Sequence, residues 1–527
     1  MLKSAIGKLA FYIKRKLFNN PHAYSLFLVY AIPLLRSHLV MGAIAAAINK
    51  KGENVVPQVA LMLRELKHRG TDAHGIAVPN SVKLAKSVEQ VEQMATENLS
   101  SNIALGYNLS QIFSNDHPQP ILGDDYAFVF EGHIFPPSKT PIVERLLRES
   151  KSDIRKNCAK IIREIEGSYA FSIADSDKLI VGRDSLGTTP LYYGENETTC
   201  ALASERKALW KIGIKNAKSF PPGNLARIDA KGFAFQPIRI IRQPSIKSVN
   251  MESAAEHLQN LLTESMEKRV SDVKRVAVAF SGGLDSSVIA ALAKLCEKEV
   301  HLISVGLTNQ EEIRFAASIA EALNMPHHAQ TYEIEHVKEI LSKVLWLIEQ
   351  PNIVNASIAI PFYWAAEVAS QLGCHVMLAG QGGDELFGGY QRYLSKYRLG
   401  VASVNEAMYH DVAYSYETNF QRDSQICAFH KVELRMPFID SNVIEYALGL
   451  PINLKIESAE DSLRKRVLRK VAQNLKLPSS IVNRKKKAIQ YATGVDKALR
   501  KLAKEEGLTL QKYIEQVFQK VYPEVNV

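Results

Sequence analysis

Small apolar residues run unbroken from Met41 to Ile48 (MGAIAAAI) and stop at Asn49, Lys50, Lys51 and Gly52, the pattern of a buried strand ending in a turn. Short apolar runs follow with turn residues between them: YAFVFEGHIF at 126–135, SYAFSIAD at 168–175 and KLIVGRD at 178–184. Helical spacing near 55–67 and 141–164 is interspersed. This mixture predicts an α+β sandwich over residues 41–235.

Residues 236–250 (QPIRIIRQPSIKSVN) hold two prolines, three bases and no acid, and are expected to be a linker. Beyond it, Ala254, Leu258, Leu261, Leu262 and Met266 share one helical face behind the candidate cap Asn250. From Arg275 the pattern becomes strand, helix, strand: VAVAF at 276–280, a helix from about Ser286 to Glu297, and HLISVG at 301–306. Helical segments near 311–323, 335–349 and 361–372 precede a third apolar strand, HVMLAG at 375–380. Alternation of this kind predicts an α/β domain with a parallel sheet over 251–527. Ligands of such sheets bind beyond the carboxyl ends of the strands. All three strands end in glycine-bearing loops, SGGLDSS, VGL and GQGGDELFGG, which makes their meeting point the candidate site.

A chain of 527 residues is long enough for at least two cores, and 46% hydrophobic with 23% charged residues is an ordinary globular balance. The net charge of +10 changes the picture little, because six of those charges (Lys3, Lys8, Lys14, Arg15, Lys16 and Arg36) sit in an acid-free stretch of forty residues. Nucleic acid, which calls for a basic stripe on a folded face, is not expected. The apolar run Tyr24 to Leu35 contains Pro33 and is shorter than the roughly 18 residues a spanning helix needs. Residues 1–40 read as a surface helix, an arm or sequence upstream of the true start; a signal-peptide core or a weak contact with anionic membrane is the less favoured reading. Five scattered cysteines with no CxxC spacing suggest neither disulfides nor zinc and fit a reducing, cytoplasmic setting.

In VAVAFSGGLDSSV, Ser281, Gly282 and Gly283 leave a strand while Asp285, Ser286 and Ser287 begin a helix. Glycines admit phosphate close to the backbone, and free N–H groups and hydroxyls donate to it. The loop lacks the lysine of GxxxxGK[ST]. Asp285 would repel a polyphosphate unless magnesium lay between them, and Asp384 in the second acidic loop is the expected partner ligand. The plainer alternatives are a glycine-rich turn capped by Asp and Ser, and an N-cap at Asp384–Glu385.

SGGLDSS resembles the pyrophosphate loop of the ATP pyrophosphatase superfamily. Together with GQGGDELFGGY (380–390), VELRMPFID (432–440), RKKKAIQYATG (484–494), RDSLGTTPLYYG (183–194), ASERKAL (203–209) and FPPG (220–223), it resembles the asparagine synthetase family in the right order. The resemblance implies an N-terminal-nucleophile-type glutaminase domain followed by a Rossmann-like synthetase domain. The synthetase would turn the aspartate side chain into an acyl adenylate, releasing pyrophosphate, and amidate it to give asparagine and AMP. By position, Ser281, Gly283, Asp285 and Ser286 would hold pyrophosphate, Phe280, Val305, Ala379 and Gly380 would line the adenosine, and Lys486 would reach the phosphates or the tetrahedral intermediate. Gln381 and Glu385 complete the candidate reacting centre. Gln381 stands where glutamine-dependent relatives tend to carry Glu. Glu433, Arg435 and Asp440 read as a buried ion network. A homodimer is also implied.

The same resemblance marks a degenerate glutaminase pocket. Gly42 stands where the family has its nucleophilic cysteine, Leu109 where an arginine would pair with the substrate carboxylate, Glu131 where an oxyanion-hole asparagine would be, and Lys139 where an aspartate would hold the α-amine. The expectation is therefore a ligase fed by free ammonia or an amine. The alternatives are amide or lactam formation on another carboxylate, as in the similar beta-lactam synthetases, and a non-catalytic ATP-binding partner.

Overall fold

The structure, a computed structural model, describes residues 41–112, 116–123, 125–136, 154–485 and 487–525. The readings made for residues 1–40, Lys139 and Lys486 fall outside them, as does most of the helical stretch expected from 141; its described part is the helix Ile154–Glu164.

Two antiparallel sheets form the first half. One runs in the order Lys218–Ser219, Tyr192–Glu195, Thr199–Ala203, Met41–Asn49, Ile103–Ser110, Ala73–Val78, Ser81–Ala85. The other runs Gly232–Pro237, Asn224–Asp229, Leu179–Arg183, Gly167–Ala174, Ala127–Ile134, Ile121–Leu122. Strand Met41–Asn49 explains its own composition. Ile44, Ala46 and Ile48 pack against Val129, Ala170 and Val181 of the second sheet, while Ala43, Ala45 and Ala47 face the helices Val56–Glu65 and Val88–Asn98. Successive side chains point to opposite faces, and here both faces are covered. On the far side of the second sheet, Cys158, Ile161 and Ile162 cover Phe128, Phe171 and Ile180.

The second half is built on a parallel sheet in the order His327–Tyr332, Glu299–Leu307, Arg275–Ala279, Val376–Leu378, Glu433–Arg435. Two of these strands depart from the sequence reading. His327–Tyr332 (HHAQTY) is a polar edge strand with no apolar run to announce it, and Glu433–Arg435 is three residues long. The helix expected at 361–372 begins earlier and spans Ile353–Gln371, with Pro361 inside it and Asn352 accepting the capping hydrogen bond from the Asn355 N–H. Proline suits a first helical turn, so its position draws the predicted start to 361.

Buried ion pairs hold the parallel sheet's edge at Glu433–Arg435. Arg435 donates to both oxygens of Asp272 at 2.6 and 2.9 Å and to Glu433 at 2.8 Å, and Arg269 pairs with Asp440 at 3.1 Å. No helix among the described residues is long and apolar enough to cross a membrane.

Lys455, 1% exposed, follows the short turn Ile452–Leu454, and burial pushes its ammonium down to about 7 from 10.5. Between those two values the unfolded chain holds a proton that the folded chain does not, so this residue makes stability rise with pH from about 7 towards 10. Lys455→Met is expected to raise stability at pH 7 and flatten that rise, as read from urea midpoints at pH 7 and 9.

Candidate functional site

A cavity of about 910 Å³ opens beyond the carboxyl ends of the parallel strands. Phe280, Ser281, Asp285, Ser286, Val305, Ala379, Gly380, Gln381, Asp384 and Glu385 all line it, so the residues singled out in three separate loops come together. Gly283 does not line the cavity; it is the N-cap of helix Leu284–Leu295, in contact with the Ser281 and Ser286 hydroxyls. Asp384 and Glu385 occupy the first turn of the short helix Gly383–Phe387, where the negative charge suits the free N–H groups.

The loops approach each other closely. A Cβ on Gly380 would lie 2.9 Å from that of Asp285, and one on Gly389 would lie 1.9 Å from Asp384 Oδ1. Glycine at these positions lets the two carboxylates converge. They do so on a cation that sequence reading missed: Lys465 Nζ lies 2.6 and 2.7 Å from the Asp285 oxygens and 2.6 Å from Asp384 Oδ1, with its side chain 3% exposed. Lys465 takes a left-handed backbone at φ 54° and starts the helix Arg466–Asn474. In sequence it is one base among many in LRKRVLRK, which reads as a solvated helical face.

Glu385 is buried and accepts hydrogen bonds from Tyr390 Oη at 2.6 Å and Asn419 Nδ2 at 2.9 Å. Burial, with help from the Asp384 charge, raises its carboxyl above the usual range. Gln381 donates from Nε2 to Asp423 at 2.6 Å. Asn419, Arg422 and Asp423 come from a helical run, Val401–Ser415 continuing into Gln421–Phe429, interrupted by a π turn at Tyr416–Phe420. Such turns recur at functional sites. On the opposite rim, Lys487 pairs with Glu312 and the Arg484 guanidinium lies 3.3 Å from the Phe315 ring centroid; these residues flank position 486.

In the first domain Gly42, Leu109 and Glu131, three of the positions singled out, are buried. Gly42 pairs with Leu109 across the sheet, and a Cβ on it would lie 2.0 Å from the Asn108 carbonyl and 2.7 Å from the Tyr107 hydroxyl. Arg69 donates from Nε to the Gly42 carbonyl at 2.8 Å and pairs with Glu131 at 2.5 Å and Glu205 at 3.3 Å. Glu131 accepts from Ser204 Oγ at 2.6 Å. Burial raises the Glu131 carboxyl against the pull of Arg69. Leu109 is buried in the core between the sheets. Arg69, Glu131 and Glu205 thus form a buried ion cluster beside Gly42.

Comparison with known proteins agrees with this layout. Residues 257–402 and 399–522 match the family model described as asparagine synthase, and residues 107–211 match that of a glutamine amidotransferase domain. The chain is similar to "Putative asparagine synthetase [glutamine-hydrolyzing] 1" of Methanocaldococcus jannaschii, 32% identical over 85% of this chain and 93% of the relative. It is also similar to asparagine synthetase B [glutamine-hydrolyzing] of Escherichia coli, 25% identical over 82% of this chain and 78% of the relative.

Gly42→Cys forces a side chain against the Asn108 carbonyl. It is expected to cost about 1–3 kcal/mol of stability without creating glutamine hydrolysis, as followed by thermal unfolding and glutamate release.

Proposed function

The chain belongs to the asparagine synthetase family of carbon–nitrogen ligases, and on that premise we propose that it adenylates the aspartate side-chain carboxylate and amidates it from free ammonia. The observation that carries the reading is the convergence of Asp285 and Asp384, which both line one cavity beside a glycine-rich loop, on the buried Lys465 ammonium.

The loop's N–H groups and the Ser281 and Ser286 hydroxyls are suited to donate to pyrophosphate oxygens, and Phe280, Val305 and Ala379 offer apolar surface to the adenosine. The Asp285 and Asp384 oxygens already share one cation, the Lys465 ammonium, so this donor set fits Mg²⁺ as well. Magnesium, when bound, supplies charge neutralisation on the leaving pyrophosphate. Lys465, and Lys486 by resemblance, are assigned to the phosphate charge that develops as the acceptor carboxylate displaces pyrophosphate from the α-phosphorus. The carboxylate is thereby converted to a mixed anhydride whose leaving group, AMP, departs when ammonia attacks the acyl carbon. Glu385, buried and raised, supports the loop through Tyr390 and Asn419.

Free ammonia is proposed because Gly42 has neither a nucleophile nor room for one, and because Arg69 and Glu131 occupy the pocket. The relatives named above are described as glutamine-hydrolysing; this chain is assigned the second half-reaction alone.

With ATP, Mg²⁺ and aspartate, ammonium is expected to yield asparagine, AMP and pyrophosphate, whereas glutamine yields no glutamate. Glutamate release would defeat the ammonia assignment, and failure of aspartate to support pyrophosphate exchange while another acid succeeds would change the acceptor. Lys465→Met leaves two carboxylates facing each other without their cation and is expected to lower exchange by about 100-fold or more.

A further inference from the structure

Asp423 is completely buried, and both side chains that bond it, Gln381 and Arg422, line the cavity. Its carboxylate accepts from Gln381 Nε2 at 2.6 Å and is gripped by Arg422, Nε to Oδ1 at 2.7 Å and Nη2 to Oδ2 at 3.0 Å. Arg422 is anchored in turn, donating from Nη1 to Asn355 Oδ1 and to the Thr418 carbonyl, each at 3.0 Å. A carboxylate beside a guanidinium is an acceptor only, so the amide nitrogen of Gln381 must face it. The amide is planar, which turns the Gln381 carbonyl oxygen away from Asp423, and Gln381 lines the cavity next to Gly380 and Asp384.

Positions 381 and 423 are therefore a matched pair. A glutamate at 381 would bring two carboxylates to about the 2.6 Å now spanned by the hydrogen bond, and like charges at that distance cannot both ionise. With the Asp423 carboxylate gripped by Arg422 and accepting from Gln381, the side chain at 381 is fixed in orientation.

We propose that Asp423 is a positioning residue for the amidation step: through Gln381 it presents a neutral carbonyl acceptor to an N–H of the incoming ammonia and aims the nitrogen lone pair at the acyl carbon. The inference rests on the adenylation reading of this site and concerns the step after it. As the C–N bond forms, the C–O bond to AMP breaks and its electron pair leaves with AMP. An amide carbonyl is too weak a base to keep the surplus proton, which passes to solvent.

The test uses the full-length protein with Mg-ATP, aspartate and varied ammonium, following pyrophosphate exchange and asparagine formation separately. Asp423→Ala frees the Gln381 amide to turn; exchange is expected to stay within about twofold while the KM for ammonium rises about tenfold. Gln381→Glu, which sets two carboxylates together, is expected to lower asparagine formation by about 100-fold. The double variant Gln381→Glu with Asp423→Asn reverses the hydrogen bond, the introduced amide at 423 donating to the introduced carboxylate at 381, and is expected to recover at least about tenfold of that loss.

An unchanged ammonium KM in Asp423→Ala, or a double variant no better than Gln381→Glu alone, would overturn the inference while leaving adenylation standing. If Asp423→Ala fails to fold, the comparison of the double variant with Gln381→Glu decides the matter. Absence of exchange in the unaltered protein would remove the adenylation reading and this inference with it.

Discussion

The Lys465 ammonium, held between Asp285 and Asp384, is the interaction on which the site depends. Two carboxylates from different strand ends cannot be brought within reach of one point without a cation there. Nor can the backbones carrying them approach unless glycine stands at 380 and 389, where a Cβ would collide with one acid or the other. The charge arrangement and the glycine-rich loops are thus two aspects of one constraint.

A chain of buried charges ties the first domain to the second. From the Gly42 carbonyl the path runs through Arg69 to Glu131 and Glu205, from Glu205 to Lys207 at 2.8 Å, and on to Glu349. Glu349 accepts from the Arg206 and Lys207 N–H groups at 2.8 and 2.7 Å and from Gln425 Nε2 at 3.3 Å. Removing one member of such a buried chain strands its partners, at a cost of about 3–5 kcal/mol. Glu131, unsuited to stabilising an oxyanion, is well suited to hold Arg69. Through Arg69 and Glu205 it is linked to the contact between the two halves.

What the sequence revealed follows from how local each feature is. The loops SGGLDSS and GQGGDELFGGY are legible because the chemistry and the backbone freedom it needs lie within a few consecutive residues. Strand Met41–Asn49 was equally plain, since burial on both faces leaves an uninterrupted apolar run. Lys465 was not legible: its role is defined by partners 180 residues away in Asp285 and about 80 away in Asp384, and its neighbours are other bases. Asp423 was hidden for the same reason, its meaning set by Gln381 at a separation of 42 residues. The polar edge strand His327–Tyr332 escaped because none of its residues is fully buried, and periodicity reports burial rather than pairing.

Helix Gln421–Phe429 links the cavity to the first domain. Its residues at helical spacing divide by partner: Gln421 shares a hydrogen bond with the Ser219 hydroxyl, Ser424 donates to the Thr188 carbonyl and Gln425 donates to Glu349, all towards the first domain or its contact. Arg422 and Asp423 turn instead to Asn355 and Gln381 at the cavity. Positions i, i+3 and i+4 share one face of a helix, so a single rigid element carries both contacts. The orientation of the Gln381 amide is thereby tied, through less than one turn of helix, to the surface that the first domain provides. The first domain thus helps to fix the helix that carries Asp423.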